Sequence, residues 1–99
     1  MLNLTYDEAI EALKQGQRCT RQGWNGKGMF VFMQVPTMVD EKYIPNMTSL
    51  PESVKTEFIK RGGNIHYTNQ FAIVSPNNVI NGWVASVSDT LANDWIILD

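Results

Sequence analysis

The residues most able to do chemistry lie in one short run, Gln22-Gly-Trp-Asn-Gly-Lys-Gly28. Three glycines in six positions give a bare backbone that turns sharply and offers consecutive N–H groups, an arrangement that can cradle phosphate oxygens. Trp24 adds an aromatic face, Lys27 a cation, and Phe30 a second ring just beyond. An aromatic, a cation and free amides are what an adenine nucleotide needs. The same run also reads as a tight hairpin turning on Asn25-Gly26, with Trp24 packed inward. Its spacing is neither that of a Walker loop nor that of a dinucleotide fingerprint.

A second segment, Gly82-Trp-Val-Ala-Ser-Val-Ser-Asp89, places Ser86, Ser88 and Asp89 where a strand runs into a helix N-terminus. Asp89 could accept ribose hydroxyls, and the serines could bond phosphate or ribose. Alternatively, Ser88 or Asp89 merely caps a short helix. His66 has neither a second histidine nor a nearby carboxylate pair, and reads as a surface or half-buried side chain. Cys19, between Arg18 and Thr20, is either an activated thiolate or a strand-core residue. Glu52 and Glu57 diverge around one helix and form a solvated face, not an acid/base pair. The five methionines are core filler or interface residues.

The elements that must position these residues follow from pattern. Thr5-Tyr-Asp-Glu8 is a capping box, and Ile10 and Leu13 extend an apolar face from Tyr6, so a helix runs from about Tyr6 to Gln15 and ends at Gly16. Arg18–Arg21 suits a short strand with Cys19 and Arg21 on one face. Met29–Met33 is apolar on both faces and predicts a central or interfacial strand. Gln34–Leu50 has no period and reads as a long excursion. Ser49-Leu-Pro-Glu52 has the form of a second capping box, opening a helix from about Pro51 to Arg61 with Leu50, Val54 and Phe58 on its apolar face. Strands are expected at Ile65–Tyr67, Gln70–Val74, Val79–Ile80, Trp83–Val87 and Trp95–Leu98, with one helical turn at Thr90–Asn93. The class is α+β: a mostly antiparallel sheet of about five or six strands, an N-terminal helix, an inserted middle helix and a short helical turn near the C-terminus.

Composition narrows the function. The chain has 99 residues, enough for one domain with a thin core. Its net charge of −2 disfavours a nucleic-acid polymer as partner. A single cysteine excludes an internal disulfide, and one histidine with one cysteine cannot supply a Cys/His zinc site. The longest apolar run falls short of the ~20 residues that span a bilayer. Asp7, Glu8 and Glu11 stand where a signal peptide needs basic and then apolar residues, so the expected location is cytoplasmic.

Two segments, Arg21-Gln-Gly-Trp-Asn-Gly-Lys-Gly-Met-Phe-Val-Phe32 and Trp83-Val-Ala-Ser-Val-Ser-Asp-Thr-Leu-Ala-Asn-Asp-Trp95, resemble the two signatures of a small phage and prophage family, the Thoeris anti-defence sponges. The resemblance covers the first third and last fifth of the chain. The middle, Gln34 to Asn69, departs from compact members, whose connection there is shorter. It implies a protein that binds the cyclic ADP-ribose isomer made by a TIR-domain sensor and does not degrade it. It also implies a homo-oligomer, typically a tetramer, with pockets between protomers, and in some relatives a separate site for cyclic di- or trinucleotides.

Carried onto this chain, the implied ligand-binding set is Trp24, Asn25, Gly26, Lys27, Gly28, Phe30, Ser88 and Asp89. Trp24 and Phe30 would stack on adenine or close over the ribose, at roughly 1–3 kcal/mol per stacked base. Amides around Gly26 and Gly28 would hold the pyrophosphate, and Lys27 would add charge. Ser88 and Asp89 would meet sugar hydroxyls or the adenine edge. No cofactor, metal or catalytic residue is implied. The rival readings are a small nucleotide hydrolase using Asp89 or glutamates, and a protein-interaction module anchored by Trp24, Phe30 and Trp83.

Overall fold

The computed structural model describes residues 3–24 and 27–98. The turn expected at Asn25-Gly26 lies outside them. In chain order the elements are α1 (Tyr6–Lys14), β1 (Arg18–Arg21), β2 (Phe30–Gln34), β3 (Thr37–Val39), a 3₁₀ helix (Glu41–Asn46), α2 (Glu52–Arg61), β4 (Ile65–Tyr67), β5 (Gln70–Val74), β6 (Ile80–Gly82), α3 (Val87–Leu91) and β7 (Trp95–Leu98). They form two compact units, one of residues 1–34 with 70–99, the other of residues 35–69. The fold is α+β, as expected.

The first unit is a five-stranded antiparallel sheet in the order β6-β5-β2-β1-β7. β2 is the central strand, the first of the two placements its apolar faces allowed: Val31 is fully buried on one face, and Phe30 and Phe32 meet on the other with ring centroids 6.4 Å apart. α1 begins on the Thr5–Glu8 capping box and ends before Gly16, whose φ of +89° suits glycine. Its inner face delivers Ala9, Ala12 and Leu13 to a core completed by Leu4, Cys19, Val31 and Trp95. Leu4 and Trp95 exchange backbone bonds of 2.9 and 3.1 Å, tying the chain ahead of α1 to β7.

Two expectations fail in this unit. Trp83–Val87 is not a strand: β6 stops at Gly82, and the chain leaves the sheet with Val84 92% exposed. Trp83 keeps one bond to the sheet, its amide donating to the Phe71 carbonyl at 3.0 Å while its ring meets Phe71 and Trp95 at 6.2 and 6.0 Å, and the residues beyond it are taken into α3, which Ser86 caps. The short helix also starts earlier than Thr90. Ser86 is its N-cap, and Ser86-Val-Ser-Asp89 forms a reciprocal capping box, so neither Ser88 nor Asp89 is the cap itself.

The second unit pairs β3 with β4 and carries the 3₁₀ helix and α2. The excursion Gln34–Leu50 therefore holds structure that its sequence does not announce. β3 is too short to alternate, and Asp40 starts the 3₁₀ helix by accepting the Lys42 amide at 3.1 Å. The Ser49 capping box does not form; α2 starts at Glu52 with Pro51 as N-cap and no side-chain cap. A cap at Ser49 would require Leu50 to be helical immediately before a proline, where the α conformation is disfavoured. The expected apolar face is only partly withdrawn from solvent, with Leu50 and Phe58 half-buried. Val54 and Ile59 are exposed, and the buried residue of α2 is Lys55, whose Nζ donates to the Pro45 carbonyl and to Glu52.

Candidate functional site

β1 and β7 pair in antiparallel register with Arg21 opposite Trp95. That register sets the last residue of β1 beside Asp94, the residue leading into β7. Arg21 Nε donates to Asp94 Oδ1 at 2.9 Å, and its Nη1 donates to Asp89 Oδ1 at 2.8 Å. All three side chains are largely withdrawn from solvent: Arg21 is 18% exposed, Asp89 11% and Asp94 29%. The glycine loop leaves directly from this cluster. The Gln22 amide donates to the Asp94 carbonyl at 3.1 Å, and the Gly23 amide to Asp94 Oδ2 at 2.8 Å. The Trp24 indole N–H donates to Asp89 Oδ1 at 3.2 Å, and its ring packs edge-on against Trp95 at 5.4 Å.

Asp89 is engaged throughout. Besides Arg21 and Trp24 it accepts the Ser86 amide at 3.0 Å, and its own carbonyl accepts the Trp95 indole N–H at 3.0 Å. Burial pushes its carboxyl pKa up, but the bonds from Ser86, Arg21 and Trp24 outweigh that and hold it below the usual carboxylate range. The Arg21 hydrogen bond, reinforced by the Gly23 amide, holds Asp94 low against its own desolvation. Two carboxylates on one guanidinium leave the cluster negative, so it repels a phosphate while fixing the loop that begins beside it.

The structure thus brings together two of the expected ligand-binding residues, Trp24 and Asp89, by bonding them to each other. Lys27 and Gly28 are exposed, Gly28 with φ of +87°. Phe30 is half-buried, with the Arg18 guanidinium 5.2 Å from its ring centroid. Ser88 is exposed on the first turn of α3. Asn25 and Gly26 lie outside the described residues. Among the described residues, the bonds of the cluster do not extend to Lys27, Gly28 or Ser88. Sequence reasoning did not assign a role to Arg21 in the site and missed Asp94. A lone arginine ending a strand beside a glycine loop was the available signal for the first; nothing local marks the second.

Two open grooves flank α1, of about 420 and 490 Å³. The first is lined by Asp7, Glu8 and Glu11 with Leu4, Ala12 and Ile97; the second holds Tyr6, Ile10 and Phe71 with Asp7, Glu11 and Lys14. Neither includes the glycine loop, and their carboxylates suit a pyrophosphate poorly. Cys19 is fully buried, donates to the Ala9 carbonyl and has its thiol pKa pushed up by burial, which is a strand-core cysteine and not an activated one. His66 is exposed on β4. Glu52 and Glu57 pair separately with Lys55 and Arg61. No helix of the described residues is long and apolar enough to cross a membrane.

The segments bonded together here are the two that carried the family resemblance. A family profile described as a Thoeris anti-defense 2-like domain matches residues 4–98. Thoeris anti-defense 2 of Bacillus phage SP01 is 33% identical over 95 residues, covering 96% of this chain and 94% of the relative. Both matches run through residues 34–69, so that segment has a counterpart in the phage relative and does not set this chain apart. On a match that extends nearly from end to end, the chain belongs to the Thoeris anti-defense 2-like family.

Proposed function

We propose that this protein counters Thoeris defence by binding a cyclic ADP-ribose-type signalling nucleotide, a glycocyclic form included, and holding it intact. The observation that carries the reading is the family match across residues 4–98. The geometry supports it with a glycine loop fixed where it leaves β1, beyond which Lys27 and Gly28 are exposed to meet phosphate. A binding role is favoured over hydrolysis because Asp89, the carboxylate a hydrolase would recruit, is already bonded to Arg21, Trp24 and Ser86. A sponge needs affinity: depletion of a scarce signal asks for nanomolar Kd, about −12 kcal/mol.

A chain of this size with open grooves has little room to bury a nucleotide alone. On this reading the ligand sits between protomers of a homo-oligomer, a tetramer in the form the family resemblance implies, in the host cytoplasm. A protein-contact role for one segment has its own support, since Val84, Val87 and Leu91 are 92, 75 and 75% exposed. A contact between copies there serves the same function.

Calorimetry against cyclic ADP-ribose and its glycocyclic isomers, with mass spectrometry of ligand released by heat, tests the proposal. Nanomolar binding with intact ligand returned is expected. Altered ligand would move the case to an enzyme. Absence of binding to every isomer would turn it to cyclic di- and trinucleotides, and then to a protein partner.

A further inference from the structure

Three consecutive residues, Arg21, Gln22 and Gly23, all donate to Asp94, at 2.9, 3.1 and 2.8 Å. They use both carboxylate oxygens and the backbone carbonyl. The fourth residue, Trp24, is held by Asp89, which shares the same guanidinium. Gly23 is part of this fit, because a Cβ there would stand 2.9 Å from Asp94 Oδ2. We infer that Asp94 is a positioning residue: it fixes the start of the glycine loop before ligand arrives, and thereby sets the affinity for the phosphate-bearing nucleotide without touching it.

The argument is one of preorganisation. Loop amides that must be ordered on binding subtract from affinity, whereas a loop already anchored subtracts less. Asp94 is suited to anchoring and unsuited to phosphate contact, since it is anionic and both its oxygens are occupied. Its bond to Gly23 spans 71 residues of sequence, so it ties the loop to the β7 corner and not to a local turn. The affinity part of the inference rests on the sponge reading; the anchoring part does not.

The test compares the full-length wild type with Asp94→Ala, Asp94→Asn and Gly23→Ala. Amide hydrogen exchange is read in the free proteins, followed by calorimetry with a glycocyclic ADP-ribose isomer. Asp94→Ala should speed exchange at Gly23 at least 10-fold while Cys19 and Val31, deep in the sheet, stay protected. It should weaken binding 10-fold or more at unchanged stoichiometry. Asp94→Asn keeps one acceptor oxygen and should fall between wild type and Asp94→Ala. Gly23→Ala leaves the charge in place but displaces the carboxylate, and should weaken binding in the same direction. Unchanged Gly23 exchange in Asp94→Ala overturns the anchoring. Fast exchange with affinity within twofold of wild type overturns its link to binding. Exchange accelerated evenly through the sheet makes Asp94 a general fold support and overturns the inference as well. A wild type that binds no isomer overturns the sponge reading and the affinity link, while Gly23 exchange still decides the anchoring.

Discussion

Trp24 and Asp89 are joined by an indole N–H to carboxylate bond of 3.2 Å that crosses 65 residues of sequence. Each was expected to face ligand, one by stacking and the other at a sugar. Their polar groups are satisfied by each other, by Arg21 and, at Asp89, by the Ser86 amide. Trp24 is half-buried, with its ring T-shaped against Trp95. The bond therefore changes what substitutions at these positions should do.

Asp89→Ala should destabilise the fold, not merely weaken binding. Arg21 keeps its pairing with Asp94, but its Nη1, the Trp24 indole N–H and the Ser86 amide all lose their acceptor, and each buried donor left unpaired costs roughly 1–3 kcal/mol. Here the capping box of α3 is lost as well. Urea denaturation should show a lower midpoint at unchanged slope. Asp89→Asn, which retains an acceptor, should lose less.

The glycines of the loop should respond differently from one another. At Gly28 a Cβ would meet nothing within 4 Å, but its φ of +87° costs a side chain roughly 1–2 kcal/mol. At Gly23 the backbone is permissive, and the cost comes from displacing Asp94, about 1 kcal/mol for one weakened bond. Thermal melts of the two alanine variants check this. On the proposed sponge reading, Gly28→Trp, and likewise Gly26→Trp, should abolish nucleotide binding in calorimetry while the proposed oligomer persists on gel filtration.

Stability should fall on acidification in a defined window. Asp89 and Asp94 both have folded pKa values held below their unfolded ones. Groups of this sign contribute stability above the unfolded value of about 4 and lose it as pH falls through the folded value. Melting temperature should therefore be steady from neutrality to about pH 5 and decline below about pH 4. The decline should be shallower in Asp94→Asn. A profile independent of that substitution would show that the cluster does not drive the acid transition.

Cys19 should resist alkylation in the native state. It is fully buried and its thiol is held protonated by burial. Iodoacetamide labelling, followed by mass spectrometry, should track unfolding by urea and should not occur at neutral pH without denaturant.

The sequence made α1 legible because its cap, its period and its glycine stop agree, and β2 because apolar residues on both faces call for a strand covered on both, central or interfacial. α3 was misplaced because serines at 86 and 88 both precede Asp89, and only Ser86 has the three-residue spacing of a reciprocal box. The second unit was obscure for another reason. Its strands are three residues long, and the one buried side chain of α2 is a lysine, so neither periodicity nor hydropathy reports it. The cluster at the site was hardest of all. Arg21 and Asp94 are 73 residues apart and become neighbours only through the pairing of β1 with β7. The loop itself was visible from its glycines; what holds it was not.

The register of β2 and β5 has a further consequence. Gln34 and Gln70 are cross-strand partners, so the 35 residues from Val35 to Asn69 depart from and return to one rung of the ladder. The first unit reads that whole stretch as the tip of a hairpin. Lengthening a loop is thermodynamically cheap, about 0.6 kcal/mol per doubling. Evolution can therefore lengthen, trim or exchange this tip as a cassette without disturbing the strands that carry it, and a protein engineer can splice foreign sequence at the same rung.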